Sequence, residues 1–88
     1  MTTLAVTPDA AAVADGLRVL ADRVEAGELE VQPWGVEILY NPGGMTQVRA
    51  EAARLGLKTH EGPGFCRATM RLSPKVAYVL YAQGVTLP

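Results

Sequence analysis

The sequence contains few of the side chains that carry most enzyme chemistry. It has one histidine, His60, and one cysteine, Cys66. A metal site needs three or four ligands, and the carboxylates here lack ligand spacing, so we expect neither a metal nor another cofactor. Because free cysteine is among the most buried residue types, Cys66 is better explained as an inert core thiol than as a nucleophile. We therefore predict a non-enzymatic protein with no catalytic residues.

Features that would direct the chain to a membrane or out of the cell are also missing. No apolar run approaches the ~20 residues that span a bilayer. The N-terminal residues lack the basic region of a signal peptide. A lone cysteine cannot form an intramolecular disulfide, which fits a reducing compartment. We expect a cytoplasmic protein with no membrane partner.

Neither sign of charge is in large excess overall, but acidic and basic residues are unevenly distributed along the chain. The net charge is −1 and the pI about 5.7, far from the strongly basic footprint of most nucleic-acid-binding domains. Residues 1–44 hold seven acids and two bases, whereas residues 45–88 hold six bases and two acids. This split indicates either an acidic partner for the basic half or attraction between the halves, within one chain or head-to-tail between two.

The first helix is well marked at both ends. Thr7 is suited to the N-cap, Pro8 to the first helical position and Asp9 to the positive end of the dipole, and Gly27 is suited to the C-terminal stop. Its apolar residues fall on one stripe flanked by Ala14 and Ala21. The stripe consists of Ala10, Val13, Leu17, Leu20 and Val24.

The central part of the sequence predicts a strand and a second helix. Val36–Tyr40 alternates as a strand that is apolar on one face. Trp34 has the parity of Val36, which favours a place at the edge of the core; a ligand or partner contact is the alternative. The second helix has an apolar stripe of Met45, Val48, Ala52 and Leu55, and Gly56 should end it.

Three strands should complete the chain. Residues 57–60 form a short strand, residues 61–64 a turn, and residues 65–72 a strand that alternates cleanly. If the turn is a four-residue loop, His60 pairs with Phe65, which places His60 and Cys66 on opposite faces. Residues 76–82 form a last strand that is apolar on both sides, with Tyr78 on one and Tyr81 on the other. Such a strand is covered twice or exposes one face to a partner.

A nucleic-acid interface is the alternative use of these strands. Arg67 and Arg71 share a strand face with Phe65, and Lys75 lies at the hairpin tip. Basic residues interleaved with an aromatic side chain could hold phosphates and stack a base. The simpler interpretation is a solvated sheet face, and no RNP, KH or helix-turn-helix signature is present.

Three runs resemble small uncharacterised proteins of actinobacteria and their phages. They are Leu-Arg-Val-Leu-Ala-Asp-Arg-Val-Glu-Ala-Gly at residues 17–27, Pro-Trp-Gly-Val-Glu-Ile at residues 33–38 and Val-Arg-Ala-Glu-Ala-Ala-Arg-Leu-Gly at residues 48–56. The resemblance covers roughly residues 17–56 and implies an accessory role, with no activity and no site residues.

These patterns predict an α+β fold in the order α-β-α-β-β-β, a two-layer sandwich with two helices on one face of a four-stranded mixed sheet. We expect a single domain over residues 1–88, with residues 1–6 and 84–88 as tails. The predicted function is binding of a protein partner or self-association, for example as a homodimer, with nucleic-acid binding as the alternative. The residues we expect to contact a partner are Trp34, Phe65, Arg67, Arg71, Lys75, Tyr78 and Tyr81.

Overall fold

The computed structural model describes residues 3–84. It contains two α-helices and four strands in the predicted order, which confirms the α+β class. The elements are α1 (Pro8–Glu25), β1 (Val36–Tyr40), α2 (Met45–Leu55), β2 (Thr59–Gly62), β3 (Phe65–Ser73) and β4 (Val76–Gln83). Of the predicted tails, residues 1–2 and 85–88 lie outside the described residues, and residues 3–6 and Gly84 belong to no helix or strand.

The four strands form one mixed sheet in the order β1-β4-β3-β2. β1 pairs with β4 in parallel, and β4–β3 and β3–β2 are antiparallel. It follows that β1 and β2 run in the same direction at opposite edges of the sheet. The last strand, which is apolar on both faces, is therefore an interior strand that lies between β1 and β3.

Residues of α2 and of the two central strands form the hydrophobic core. Val48 and Ala52 of α2 are fully buried against Cys66, Ala68 and Leu80, and Ala82 completes the cluster. Met45, Leu55, Leu57 and Tyr78 pack around it. The predicted stripe of α2 is thus the face that packs on the sheet.

Both helices begin and end where the sequence predicts. The Thr7 hydroxyl accepts a hydrogen bond from the Ala10 N–H at 3.0 Å, and Pro8 occupies the first helical position. α2 ends at Gly56, which has a left-handed φ of +70°, and the Leu57 N–H donates to the Ala52 carbonyl at 2.8 Å. That bond satisfies one of the carbonyls left open at a helix end.

The hairpin between β2 and β3 is tighter than the four-residue loop considered from the sequence. Gly62 pairs with Phe65, His60 with Arg67 and Thr59 with Ala68, so only Pro63 and Gly64 form the turn. The expected pairing of His60 with Phe65 is therefore wrong by two positions. Side chains alternate with a period of two, so a shift of two leaves every residue on its expected face.

The chain divides into two compact units, one comprising Thr3–Pro33 and the other containing the sheet and α2 from Trp34 onwards. No residue of α1 is buried. In the second unit, backbone contacts join β1 tightly to the β3–β4 turn, where the Val36 N–H donates to the Lys75 carbonyl at 2.8 Å. Within residues 3–84, no helix is long and apolar enough to cross a membrane.

Candidate functional site

Most of the predicted contact residues lie on the sheet face opposite α2. Cross-strand pairs share a face, and Arg67 pairs with Tyr81, Arg71 with Ala77 and Glu37 with Ala77. We call this surface the arginine face. It consists of Glu37, Leu39, Phe65, Arg67, Thr69, Arg71, Ala77, Val79 and Tyr81.

Two interactions organise the arginine face. The rings of Phe65 and Tyr81 stack with centroids 6.5 Å apart and planes 25° from parallel. Arg67 Nη2 lies 3.3 and 3.4 Å from the two carboxylate oxygens of Glu37. Because β4 lies between the strands of Arg67 and Glu37, this ion pair spans β4 on the side of Val79, which is fully buried.

Trp34 is not at the edge of the core, so that expectation is wrong. Its side chain is 75% exposed, and it lines a recess of about 460 Å³ together with Gly35, Glu37 and Arg71. Gly35 has a φ of +89°, which interrupts the alternation that gave Trp34 the parity of Val36. The indole therefore accompanies residues of the arginine face.

Gly35 is required at this position by a close backbone approach. A Cβ built on it would lie 1.9 Å from the carbonyl oxygen of Lys75. Only glycine tolerates both this contact and the positive φ. In the sequence, the Trp-Gly pair was the only sign of this feature. The backbone that approaches Gly35 belongs to Lys75, forty residues further along the chain.

Lys75 and Tyr78 are placed differently from the other predicted residues. Lys75 occupies the turn between β3 and β4, where its N–H donates to Ser73 Oγ at 3.2 Å. Tyr78 lies on the α2 side of the sheet, stacked on Tyr40 with centroids 6.4 Å apart. Burial raises the pKa of the Tyr78 phenol. Tyr78 and Tyr81 therefore lie on opposite faces of the sheet, as their alternation in the sequence predicts.

The two arginines of the arginine face differ in their partners. Arg67 is held by Glu37, whereas no ion pair is recorded for Arg71 within residues 3–84. Sequence reasoning assigned Glu37 to the polar side of β1 but did not find its pairing with Arg67. A contact between residues thirty positions apart on non-adjacent strands leaves no local signal, and only the strand order reveals it.

His60 and Cys66 are on opposite faces of the sheet, as predicted. His60 pairs with Arg67 on the side of the arginine face, and Cys66 lies fully buried under α2. Burial raises the pKa of the Cys66 thiol, and the nearby Glu61 carboxylate adds to this effect. A raised pKa and burial both reduce the reactivity of a thiol. Among the described residues, no group of three or more histidine, cysteine or acidic side chains could hold a metal ion.

Comparison with known proteins adds no relative. No family model, curated protein or solved structure matches the chain significantly.

Proposed function

We propose that this chain is a small non-enzymatic accessory protein that acts by binding proteins, and that its own copies are among the proteins it binds. An origin in an actinobacterium or its phage is part of the same proposal. Three features support it: exposed apolar surface, the composition of the arginine face and the burial of the one thiol.

The observation that carries the proposal is the excess of exposed over buried apolar side chains. Among residues 3–84, fourteen large hydrophobic side chains are exposed, whereas eight hydrophobic residues are buried and four of those are alanine. Scattered exposed apolar residues are ordinary, but contiguous apolar surface marks interaction sites. A chain that leaves this much apolar surface in solvent gains free energy by covering it with protein.

The arginine face has the composition of a protein interface. Tryptophan, tyrosine and arginine are enriched among residues that dominate binding energy, and Trp34, Tyr81 and Arg71 lie on or beside this face. Leu39 is 63% exposed there and adds an apolar contact next to the polar Glu37. Stacking of Phe65 on Tyr81 pre-orders both rings, which lowers the entropic cost of binding.

A non-enzymatic role is supported by the state of the potential nucleophile. Nucleophilic catalysis by cysteine requires a thiolate and a base within hydrogen-bond reach. Burial raises the pKa of Cys66, and the sheet separates its side chain from that of His60. Neither requirement is met by this arrangement.

Solution mass tests the proposal. Light scattering and sedimentation velocity should show a mass above the 9.3 kDa of one chain, increasing with concentration from about 1 μM to 1 mM, a range that covers weak to moderate association. Association driven by apolar surface should persist in about 0.5 M salt, where surface charges are screened. A constant mass of one chain throughout this range would overturn self-association.

Nucleic-acid binding is the second candidate, favoured by the stacked rings of Phe65 and Tyr81 and by Arg71 on the same sheet face. Anisotropy of a labelled single-stranded oligonucleotide, measured over a salt series, tests it. If Arg71 contacts a phosphate, Arg71→Gln should weaken binding and reduce the salt slope by about 1. Arg18→Gln on α1 is the control and should change neither. Absence of binding at low ionic strength would eliminate this candidate.

A further inference from the structure

The apolar stripe of α1 has the spacing of a coiled-coil seam. Ala10, Val13, Leu17, Leu20 and Val24 follow one another at intervals of three, four, three and four residues, which are the a and d positions of two heptads. The four larger side chains are between 39 and 62% exposed. An 18-residue helix is only marginally stable in water by itself, so covering this seam with a partner would stabilise it.

The residues flanking the seam identify a second copy of α1 as that partner. On one flank Asp9, Gly16 and Arg23 recur every seven residues, with an acid near the helix start, a base in its last turn and glycine between them. When two such helices pair antiparallel, Asp9 of each copy meets Arg23 of the other. The charges are therefore self-complementary under a two-fold axis.

The same antiparallel register also matches the seam residues by size. Leu17 of one copy lies opposite Val13 of the other, and Leu20 lies opposite Ala10, so large side chains meet smaller ones and can interdigitate. Gly16 of one copy meets Gly16 of the other, which lets the backbones approach closely. In a parallel pair Asp9 and Gly16 would face Ala14 and Ala21 of the other copy, so Asp9 would have no basic partner.

The interactions that Arg23 and Asp9 make within one chain are compatible with their pairing between two copies. Arg23 Nη1 lies 3.0 Å from Glu28 Oε2, and both side chains are more than half exposed. For Asp9 no ion pair is recorded within residues 3–84. An exposed ion pair contributes little free energy, so Arg23 can leave Glu28 or be shared by both carboxylates.

We propose that α1 is the self-association element of this protein: two copies pair antiparallel through Ala10, Val13, Leu17, Leu20 and Val24, with Asp9 of each beside Arg23 of the other. This inference rests on the proposed function, because it specifies where and how the copies meet. It assigns α1 a role separate from that of the arginine face.

A matched pair of variants in the full chain tests the seam. Leu17→Gln places an amide in the seam, whereas Val19→Gln makes a comparable change on the opposite side of the same helix, where Val19 is also exposed. Sedimentation velocity should show the dimer dissociation constant raised at least about tenfold for Leu17→Gln and unchanged for Val19→Gln. Far-UV circular dichroism checks that both variants fold.

Charge exchange tests the antiparallel register. Asp9→Lys and Arg23→Glu should each weaken self-association, because like charges then meet at both ends of the pair. The double variant should recover it, and a mixture of the two single variants should form heterodimers in preference to either homodimer.

The outcomes separate the two proposals. A wild-type mass of one chain at every concentration overturns self-association and α1 pairing together. A wild-type dimer that Leu17→Gln leaves intact overturns α1 pairing alone. Loss of the dimer in Leu17→Gln without recovery in the charge-exchanged double variant overturns the antiparallel register.

Discussion

α1 and α2 are both amphipathic helices with a glycine just past the C-terminal end, yet they differ completely in burial. α2 places Val48 and Ala52 in the core with no exposed area, whereas α1 has no buried residue. The sequence period of 3.6 predicts that a helix has an apolar face. It does not say how deeply that face is buried, and the two helices differ in this burial.

The ion pairs show the same contrast. α1 forms Arg18–Asp15 and Arg23–Glu28, both between near neighbours in the chain, whereas Arg49 of α2 reaches Glu61 on β2, twelve residues away. Local pairs stabilise a helix but carry no information about tertiary structure. The pair at Arg49 connects α2 to the sheet.

The largest difference between the helices should appear when a charge is placed in the apolar stripe of each one in turn. We expect Val48→Asp to cost about 4 kcal/mol or more, enough to unfold the sheet unit, since the carboxylate would be buried without a partner. Val13→Asp should change the stability of that unit by less than about 0.5 kcal/mol. Urea unfolding at low protein concentration, followed by circular dichroism, measures both. Equal losses would show that both stripes are covered within one chain.

Patterns within ten residues of one another were sufficient to predict both helices, the caps of α1, the C-terminal stop of α2 and three of the strands. β2, predicted at residues 57–60, lies at Thr59–Gly62. The caps follow from Thr7, Pro8 and the glycines because each acts on its own neighbours. The strand order and the Arg67–Glu37 ion pair could not be predicted, because they depend on which strand lies beside which. Trp34 was misplaced for a related reason. Alternation fails at Gly35, and the Lys75 backbone that requires glycine there is distant in sequence.

The second-largest effect on stability should come from replacing a glycine. Gly35→Ala would place a Cβ 1.9 Å from the Lys75 carbonyl oxygen at a positive φ, so we expect a loss of about 3 kcal/mol. Gly16→Ala is the matched change in α1, where nothing lies within 4 Å of the added carbon. It should stabilise that helix by about 0.5–1 kcal/mol. An unchanged urea midpoint for Gly35→Ala would contradict the close approach of β1 to the β3–β4 turn.

Thiol labelling compares the two regions without unfolding the protein. Cys66 is fully buried, so a thiol reagent should reach it only after the sheet unit opens. A thiol introduced in a Cys66→Ala background by Val19→Cys, which lies opposite the seam and is also exposed, should react at least about 100-fold faster. Cys66→Ala alone gives the unreactive control. Similar labelling rates at both positions would mean that the reagent reaches the core under α2 as easily as it reaches the exposed surface of α1.

The Cys66 thiol also predicts a pH dependence. Burial raises its pKa in the folded state, while in the unfolded chain it stays near its ordinary value of about 8.5. The unfolded state therefore loses the proton first as pH rises. The thiol's contribution to stability is complete below about pH 8.5 and declines from there towards the folded-state pKa. Urea midpoints between about pH 7 and 10 should fall more steeply for the wild type than for Cys66→Ala.

The smallest effect concerns the exposed ion pair between α2 and β2. Arg49 Nε and Nη2 donate to Glu61 Oε1 at 2.9 and 2.7 Å, and these hydrogen bonds lower the pKa of the Glu61 carboxyl. The folded-state pKa lies below the unfolded one, so the pair stabilises the fold above the ordinary glutamate pKa of about 4.3. That contribution is lost as pH falls through the folded-state value.

An NMR titration of the Glu61 carboxyl carbon measures the lowered pKa of that group. Arg49→Gln should return the Glu61 pKa towards its ordinary range, and the small stability difference from wild type should vanish in acid. Arg18→Gln removes an ion pair that is local to α1, so it should leave the Glu61 titration unchanged. If Glu61 titrates alike in the wild type and Arg49→Gln, the ion pair does not persist in solution. The contrast between the helices would then depend on apolar burial alone.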